Sequence, residues 1–152
     1  MNNKLFIVEV SSVREKLGYN DRGSLFITGE HYPIWHGPVS GVPNPNKPGR
    51  LYGQLAFTTD KPYRSRFLQD HPKFGRCLLI NEGKELPSQT INSKHDFKHI
   101  ISEVFVHHGE SALWRGSAGC ITIQPDIAEA FFCLFISGEI VDIAITPMYS
   151  MV

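Results

Sequence analysis

Two adjacent histidines and a cysteine stand at the ends of two short β-branched runs. His107 and His108 follow the run Val104–Val106, and Cys120 precedes the run 121–123. A thiol beside an imidazole can lose its proton and become a nucleophilic thiolate. The segment 104–123 therefore predicts a cysteine nucleophile at Cys120, with His107 or His108 as its general base. Such a pair predicts that Cys120 is alkylated rapidly near neutral pH.

Only one of the two histidines can act as the general base for this thiol. Successive side chains of a strand point to opposite faces of the sheet. Val104, Val106 and His108 therefore share one side, and Phe105 and His107 share the other. The sequence does not say which of these two sides Cys120 faces, so both imidazoles stay candidates.

The small residues before the cysteine predict a turn that a substrate can approach closely. Backbone N–H groups in such a turn can stabilise an oxyanion, and those of Gly119 and Cys120 are the candidates. The Ser117 hydroxyl is placed to orient the imidazole or the loop. Arg115 is a candidate for binding a substrate carboxylate, and Trp114 for the floor of a pocket.

Two other interpretations of the same residues stand beside catalysis. A His-His pair at a strand end is often a solvated edge, and a cysteine that opens a strand is often packed away. His107, His108 and Cys120 could also ligate zinc together with His95 or His99. Adjacent histidines in an extended segment diverge, however, and no ligand pair has standard metal-site spacing. We therefore expect neither a metal nor a cofactor.

The other two cysteines are predicted to be structural. Cys77 opens the apolar run CLLI, and Cys133 lies inside the apolar run AFFCLFI. Both are expected to be buried as small hydrophobic residues, the usual state of a free cysteine. Only Cys120 has the glycine and serine neighbours of an accessible thiol.

Composition predicts a single domain, 1–152, of ordinary globular type. The 152 residues include 41% hydrophobic and 20% charged residues, and the 15 basic residues balance the 15 acidic ones. A nucleic-acid binder would show a basic patch, so we expect no nucleic-acid partner. The apolar stretch near the N-terminus is short and contains Glu9, so neither a signal peptide nor a membrane span is expected.

The chain-wide pattern favours a mainly β or α+β fold with one main helix. That helix is predicted from Pro125 to Ile136, with Gly138 as its stop. The segment 65–70 is read as one or two helical turns, and 84–99 as a loop with a brief helix near 96–101. The remaining elements are strands at 3–10, 52–60, 77–83, 103–108, 120–123 and 139–145, a hairpin at 24–35, and a proline- and glycine-rich loop at 37–50.

The order of histidine before cysteine, with a short loop between them, resembles the L,D-transpeptidase catalytic domain. The family signature is a histidine-glycine step followed by S-H-G-C, and it corresponds here to His107-His108-Gly109 with 117–120. Two family residues are replaced, by Ala118 and Thr122, and the loop is shorter. The chain looks closer to a compact branch with an IHxG…SxGC pattern, found in phage proteins and type VI secretion effectors. That pattern makes His107 the catalytic imidazole, whereas the simpler histidine-glycine step makes it His108.

The resemblance implies a β-sandwich with its main helix after the cysteine strand, and a peptidoglycan substrate. Cys120 would attack the carbonyl at the third stem-peptide residue, expel D-alanine and form a thioester. Transfer to an amine would be transpeptidation or D-amino-acid exchange, and transfer to water would be L,D-carboxypeptidation. The enzyme would act in the periplasm or cell wall. With no signal peptide expected, a secretion system or phage lysis would deliver it, with an immunity protein as a further partner.

A second class of function is a non-catalytic module that keeps this fold and binds the cell wall. Ala118 and Thr122, which replace a histidine and an arginine of the family signature, favour this alternative.

Overall fold

The computed structural model describes residues 53–58, 61–109 and 120–145 in full, together with the backbone of 4–10, 23–28, 36–40 and 146–147. Within these ranges the chain is mainly β with one α-helix, so the predicted class is confirmed. No helix among them is long and apolar enough to cross a membrane.

Eight of the described strands form one sheet that closes on itself, and two more form a separate small sheet. The closed sheet has the order β1-β10-β4-β5-β8-β9-β3-β2, and the small sheet pairs β6 with β7. The strands are β1 (Lys4–Val10), β2 (Gly23–Thr28), β3 (His36–Ser40), β4 (Tyr63–His71), β5 (Gly75–Ile80), β6 (Leu86–Asn92), β7 (Lys98–Ile101), β8 (Phe105–His108), β9 (Ile121–Ile123) and β10 (Ile140–Pro147).

Two neighbouring pairs in the closed sheet are parallel, and the others are antiparallel. One parallel pair joins β1 to β10, and the second joins β8 to β9. Parallel strands need a crossing connection rather than a tight hairpin. The twelve-residue separation between His108 and Cys120 provides that connection, and residues 110–119 within it lie outside the described residues.

The helix α1 (Pro125–Phe132) follows β9 directly. Pro125 stands in its first turn, where the missing N–H costs nothing, and Asp126 complements the helix dipole there. The helix ends earlier than the predicted Ile136. Leu134 N–H donates to Phe131 O, three residues back, so the chain tightens into turns after Phe132.

The core lies on one face of the closed sheet and is completed by α1. Phe67 of β4 is fully buried and stacks on Phe135 with ring centroids 5.2 Å apart. Its ring also meets Phe132, at 6.2 Å. Strand residues complete this core: Leu78, Ile80, Val106, Ile121, Ile123, Val141, Ile143 and Ile145.

The predicted strands at the C-terminal end are confirmed. β8, β9 and β10 fall within the predicted segments 103–108, 120–123 and, but for two residues, 139–145. The first strand and the strand that runs into a turn after Ile80 are confirmed as well. In β1, β9 and β10, β-branched residues are dense enough to define the element locally.

Two sequence predictions failed because tertiary pairing overrode weak local signals. Residues 65–70 form part of β4 and are not helical, since β4 pairs with both β10 and β5. Ser65 and Phe67 are both buried in β4, at the alternating spacing of a strand. Segment 84–99 holds β6, the 3-10 turn Ser93–His95 and the start of β7, and is not a loop with a helix.

The assignments at 37–50 and 52–60 are also corrected. Residues 37–40 belong to β3, because Val39 and Ser40 pair with β9 despite the neighbouring proline and glycine. Conversely, residues 53–58 contain only a single bridge, from Leu55 to Ser88. Separate backbone hydrogen bonds hold the rest of this segment: Ala56 N–H donates to Pro87 O of β6, and Thr58 N–H donates to Ile145 O of β10, each at 3.0 Å.

The packing of Phe67 makes a prediction about stability. We expect Phe67→Ala to lower the free energy of unfolding by about 3–5 kcal/mol, because it empties a fully buried aromatic site. Denaturant titration followed by circular dichroism measures this loss. Phe97→Ala is the matched control, since that ring is 61% exposed and its loss should stay within about 0.5 kcal/mol. Equal losses for the two variants would contradict the described core.

Candidate functional site

The register of β8 against β9 sets the geometry of the candidate site. Val106 pairs with Ile121, and His107 pairs with Thr122. Extending this register by one residue toward the N-terminus of both strands sets Cys120 beside Phe105. A hydrogen bond agrees with this placement, since Phe105 N–H donates to Cys120 Sγ at 3.5 Å.

This register brings Cys120 to the face of the sheet that carries His107. Neighbouring residues in register share a face, and alternate residues of one strand do too. Cys120 therefore shares its face with Phe105 and, two residues along β8, with His107. Such diagonal neighbours lie about 7–8 Å apart at Cα, a distance that side chains can bridge. The pairing favours His107 over His108 as the imidazole on the side of the thiol.

His107 is held by a ring contact and a hydrogen bond. Its imidazole stacks on Phe74, with ring centroids 3.9 Å apart and planes 15° from parallel. Its Nδ1 lies 2.7 Å from the carbonyl oxygen of His108. A carbonyl oxygen only accepts, so Nδ1 carries a proton and donates it. In the neutral ring Nε2 is then the nitrogen with a lone pair, and so the one that can receive a proton.

The environment of His107 disfavours its charged form. Burial, with smaller contributions from the neighbouring His108, Lys73 and His71, lowers the pKa of His107 to about 4. The hydrogen bond to the His108 carbonyl acts in the opposite direction but is outweighed. The imidazole is therefore neutral through most of the physiological pH range.

The environment of Cys120 likewise disfavours its charged form. The residue is half-buried, and burial raises the pKa of its thiol above the ordinary value. The Phe105 N–H and the positive charges of Lys73 and Lys94 lower the pKa of Cys120, but burial has the larger effect. The resting state is thus a thiol with a neutral imidazole. The rapid alkylation expected from a thiolate at neutral pH does not follow from this structure.

Sequence analysis did not identify one histidine of the site, His71. His71 ends β4, and its ring lies 4.8 Å from Phe105 and 5.2 Å from Phe74. Phe74 in turn touches Phe105, at 5.1 Å, and stacks on His107. We name these four rings the aromatic cluster. The stretch HPKFG between two apolar runs is a turn signal that could have indicated it.

His108 lies on the other face of β8, toward the helix. It lines a cleft of about 220 Å³ together with Arg76 and four residues of α1, namely Pro125, Ala128, Glu129 and Phe132. Its Nδ1 donates to the Gly109 carbonyl oxygen at 3.1 Å. An ion pair between Arg76 and Glu129 closes one side of the cleft.

Of the predictions for the other two cysteines, one is confirmed and one is wrong. Cys77 is fully buried, as predicted, and burial raises the pKa of its thiol to about 12. Cys133 is exposed, contrary to the prediction of a buried residue. The apolar run around Cys133 does not lead to burial, because α1 ends at Phe132 and leaves Cys133 at the helix end. There its sulfur accepts from Arg76 Nη1, at 3.6 Å.

No group of three or more potential metal ligands occurs among the residues that the structure describes. The five candidate zinc ligands all fall within these residues: His95, His99, His107, His108 and Cys120. Instead, His95 Nε2 lies 3.1 Å from Ser102 Oγ, and exposed His99 is 3.3 Å from the Ser88 carbonyl oxygen.

Several predicted site residues lie outside the described residues. They are Trp114, Arg115, Ser117, Ala118 and Gly119. The oxyanion-binding role of the Gly119 N–H and the carboxylate-binding role of Arg115 therefore remain sequence predictions. Thr122, the second departure from the family signature, is buried beside His107 in register.

Comparison with known proteins gives no relative for this chain. No protein-family model matches it, and neither the curated proteins nor the solved structures contain a match.

The arrangement favours transfer of the Cys120 proton to His107 during attack on an electrophile. It does not favour a thiolate–imidazolium pair that exists before the attack. A thiol with a raised pKa and an imidazole with a lowered pKa do not exchange a proton at rest. An electrophile that reaches Cys120 would make the sulfur give up its proton as the new bond forms. His107 Nε2 is the candidate acceptor on the same face.

The lowered pKa of His107 predicts a pH-dependent stability. In the unfolded chain a histidine titrates near pH 6.5, whereas His107 in the folded protein titrates near about 4. As the pH falls from 6.5 to 4, the unfolded state binds the proton first. His107 thus contributes stability above pH 6.5 that is lost over this window, by up to about 3 kcal/mol.

His107→Phe isolates this contribution, because it keeps a ring on Phe74 and removes the titrating group. Between pH 7 and pH 4 we expect wild type to lose about 3 kcal/mol more unfolding free energy than the variant. Denaturant titrations at each pH measure both losses. His99→Gln, at an exposed histidine, is the control and should follow wild type. A His107→Phe profile parallel to that of wild type would contradict the buried, neutral imidazole.

The raised pKa of Cys120 predicts slow alkylation at neutral pH. In a Cys133→Ser background, which removes the exposed thiol, iodoacetamide should label Cys120 slowly at pH 7. The rate should still be rising above pH 9, because the thiolate is the reacting form. Peptide mass spectrometry locates the label. A rate that reaches its plateau below pH 8 would show an activated thiolate and would contradict this description.

Proposed function

We propose that this protein is a peptidoglycan-modifying cysteine enzyme, with an L,D-transpeptidase-like fold and Cys120 as its nucleophile. The observation that carries the proposal is the parallel pairing of β8 with β9, which sets Cys120 and His107 on one face of the sheet. The hydrogen bond from Phe105 N–H to Cys120 Sγ supports the same placement. The sequence signature His107-His108-Gly109 with 117–120 supplies the substrate class.

In the proposed reaction Cys120 attacks the carbonyl of the third residue of a stem tetrapeptide. The thiol proton passes to His107 Nε2 as the sulfur–carbon bond forms. The carbon–nitrogen bond to D-alanine then breaks, the leaving amine takes the proton from His107, and a thioester remains on Cys120. Water or an amine completes the reaction, as carboxypeptidation or as transfer, and frees the thiol.

The orientation of His107 supports its part in this reaction. Donation from Nδ1 to the His108 carbonyl fixes the tautomer and leaves Nε2 as the basic nitrogen. Stacking on Phe74 fixes the plane of the ring. A base with a pKa near 4 is weak, so His107 contributes at the step in which the sulfur–carbon bond forms and the sulfur gives up its proton.

The proposed substrate also sets the place of action, in the periplasm or cell wall. Delivery by a secretion system or by phage lysis, and an immunity partner, belong to this proposal as its biological context.

A second candidate is a cell-wall-binding module that keeps the fold without turnover. The pKa directions favour it, since the raised pKa of Cys120 keeps the sulfur as a thiol and the lowered pKa of His107 makes its neutral imidazole a weak base. Such a module would bind peptidoglycan equally well with or without the sulfur of Cys120.

Turnover separates the two candidates. Purified protein incubated with disaccharide tetrapeptides should release D-alanine, and Cys120→Ala should release none above background. We expect His107→Ala to slow release by about 10²–10⁴, the usual contribution of a general base. His108→Ala is the matched control on the opposite face and should change the rate by less than about tenfold. Chromatography of the muropeptides and an assay of free D-alanine measure both products.

Equal release by wild type and Cys120→Ala would overturn the enzyme proposal. A larger loss in His108→Ala than in His107→Ala would instead overturn the assignment of the base. Sedimentation with intact peptidoglycan sacculi then tests the module, which predicts that wild type and Cys120→Ala bind alike.

A further inference from the structure

The turn between β4 and β5 holds a lysine close to the candidate pair. His71 and Gly75 face each other across this turn. The Nδ1 of His71 accepts hydrogen bonds from the backbone N–H groups of Lys73, at 3.1 Å, and Phe74, at 3.2 Å. Gly75 has a φ of +66°, a conformation that glycine adopts without strain. The backbone of Lys73 is therefore fixed while its side chain is exposed.

The ammonium group of Lys73 adjoins the aromatic cluster. Its Nζ lies 5.3 Å from the centroid of the Phe74 ring, within range of a cation–π attraction. The same ring stacks on His107. Within the part of the chain that the structure describes, no carboxylate forms an ion pair with Lys73. Its charge is thus available to a ligand at this edge of the site.

A second lysine, in a different turn, also contributes positive charge at the thiol. Lys94 lies in the 3-10 turn Ser93–His95, where its backbone N–H donates to Asn92 Oδ1 at 3.0 Å. The positive charges of Lys73 and Lys94 both favour the ionised form of Cys120, and no acidic group opposes them among the described residues. The potential at the sulfur is therefore raised by two cations from two turns.

We propose that Lys73 forms a carboxylate-binding subsite beside Cys120. The ligand class is a peptide whose free carboxylate lies one residue from the carbonyl that the sulfur attacks. This subsite rests on the proposed function for its substrate, because a stem tetrapeptide ends in such a carboxylate. The preference for an anion at the sulfur stands on the lysines alone.

Two alkylating reagents of nearly equal size measure this preference without any turnover. Iodoacetate carries a carboxylate and iodoacetamide does not, so the ratio of their rates at Cys120 reports the local charge. The experiment uses the full chain in a Cys133→Ser background at pH 9, with peptide mass spectrometry to count label on Cys120. We expect Lys73→Gln to lower the ratio about threefold to tenfold. Lys73→Arg should keep it, and Lys98→Gln, at an exposed lysine of β7, is the matched control.

Salt provides a second measurement that needs no variant. Raising the ionic strength to 1 M should lower the wild-type ratio toward that of a free thiol, because the charges of exposed lysines are screened. A ratio that is unchanged in Lys73→Gln and insensitive to salt would overturn the subsite. So would a Cys120 that neither reagent labels, since the sulfur would then be closed to any ligand.

The outcomes keep this proposal separate from the proposed function. A protein that releases no D-alanine yet shows the Lys73-dependent ratio keeps the subsite and loses the peptidoglycan reaction. A protein that releases D-alanine with an unchanged ratio keeps the reaction and loses the subsite.

Discussion

The parallel pairing of β8 with β9 is the constraint on which the candidate site depends. It matches His107 to Thr122 and so brings Cys120 beside Phe105, on the face that carries His107. A shift of this register by one residue would turn Cys120 to the core side, where Val106, Ile121 and Ile123 are buried. The apolar residues on that side therefore fix the position of the thiol, because slipping the register would expose them.

The same division of faces separates the two neighbouring histidines into two environments. His107 enters the aromatic cluster, where burial, with a contribution from the charge of Lys73, keeps it neutral. His108 lies at the helix side, in the cleft with Arg76 and Glu129. Two identical side chains thus differ in chemistry because the backbone alternates between them.

The sequence was sufficient where the local pattern was dense. The run before the His-His pair and the β-branched run after Cys120 defined β8 and β9, and Pro125 marked the start of α1. It was insufficient where pairing decides the structure. Nothing local shows that Ser65 and Phe67 are strand residues, because β4 owes its form to neighbours on both sides. Cys120 and the two histidines were identified as candidates, but the choice between the histidines needed the register. The aromatic cluster needed the fold, since His71 and Phe74 are about thirty residues away in sequence.

Burial disfavours the charged forms of Cys120 and His107, an effect that the sequence pattern alone does not reveal. The pattern suggests an activated thiolate, whereas the fold raises the pKa of Cys120 and lowers that of His107. The lysines of two turns oppose this effect at the sulfur. The balance between burial and these charges determines whether the site is reactive at rest or only with substrate bound.

The central claim, that Cys120 and His107 share one face, is tested most directly by nuclear magnetic resonance of the imidazole rings. In a Cys133→Ser background, the ring signals of His107 and His108 are assigned by single substitution and recorded before and after alkylation of Cys120. The shared face predicts a large change in the His107 signals and little change in those of His108. A change confined to His108, with His107 unaffected, would contradict the account.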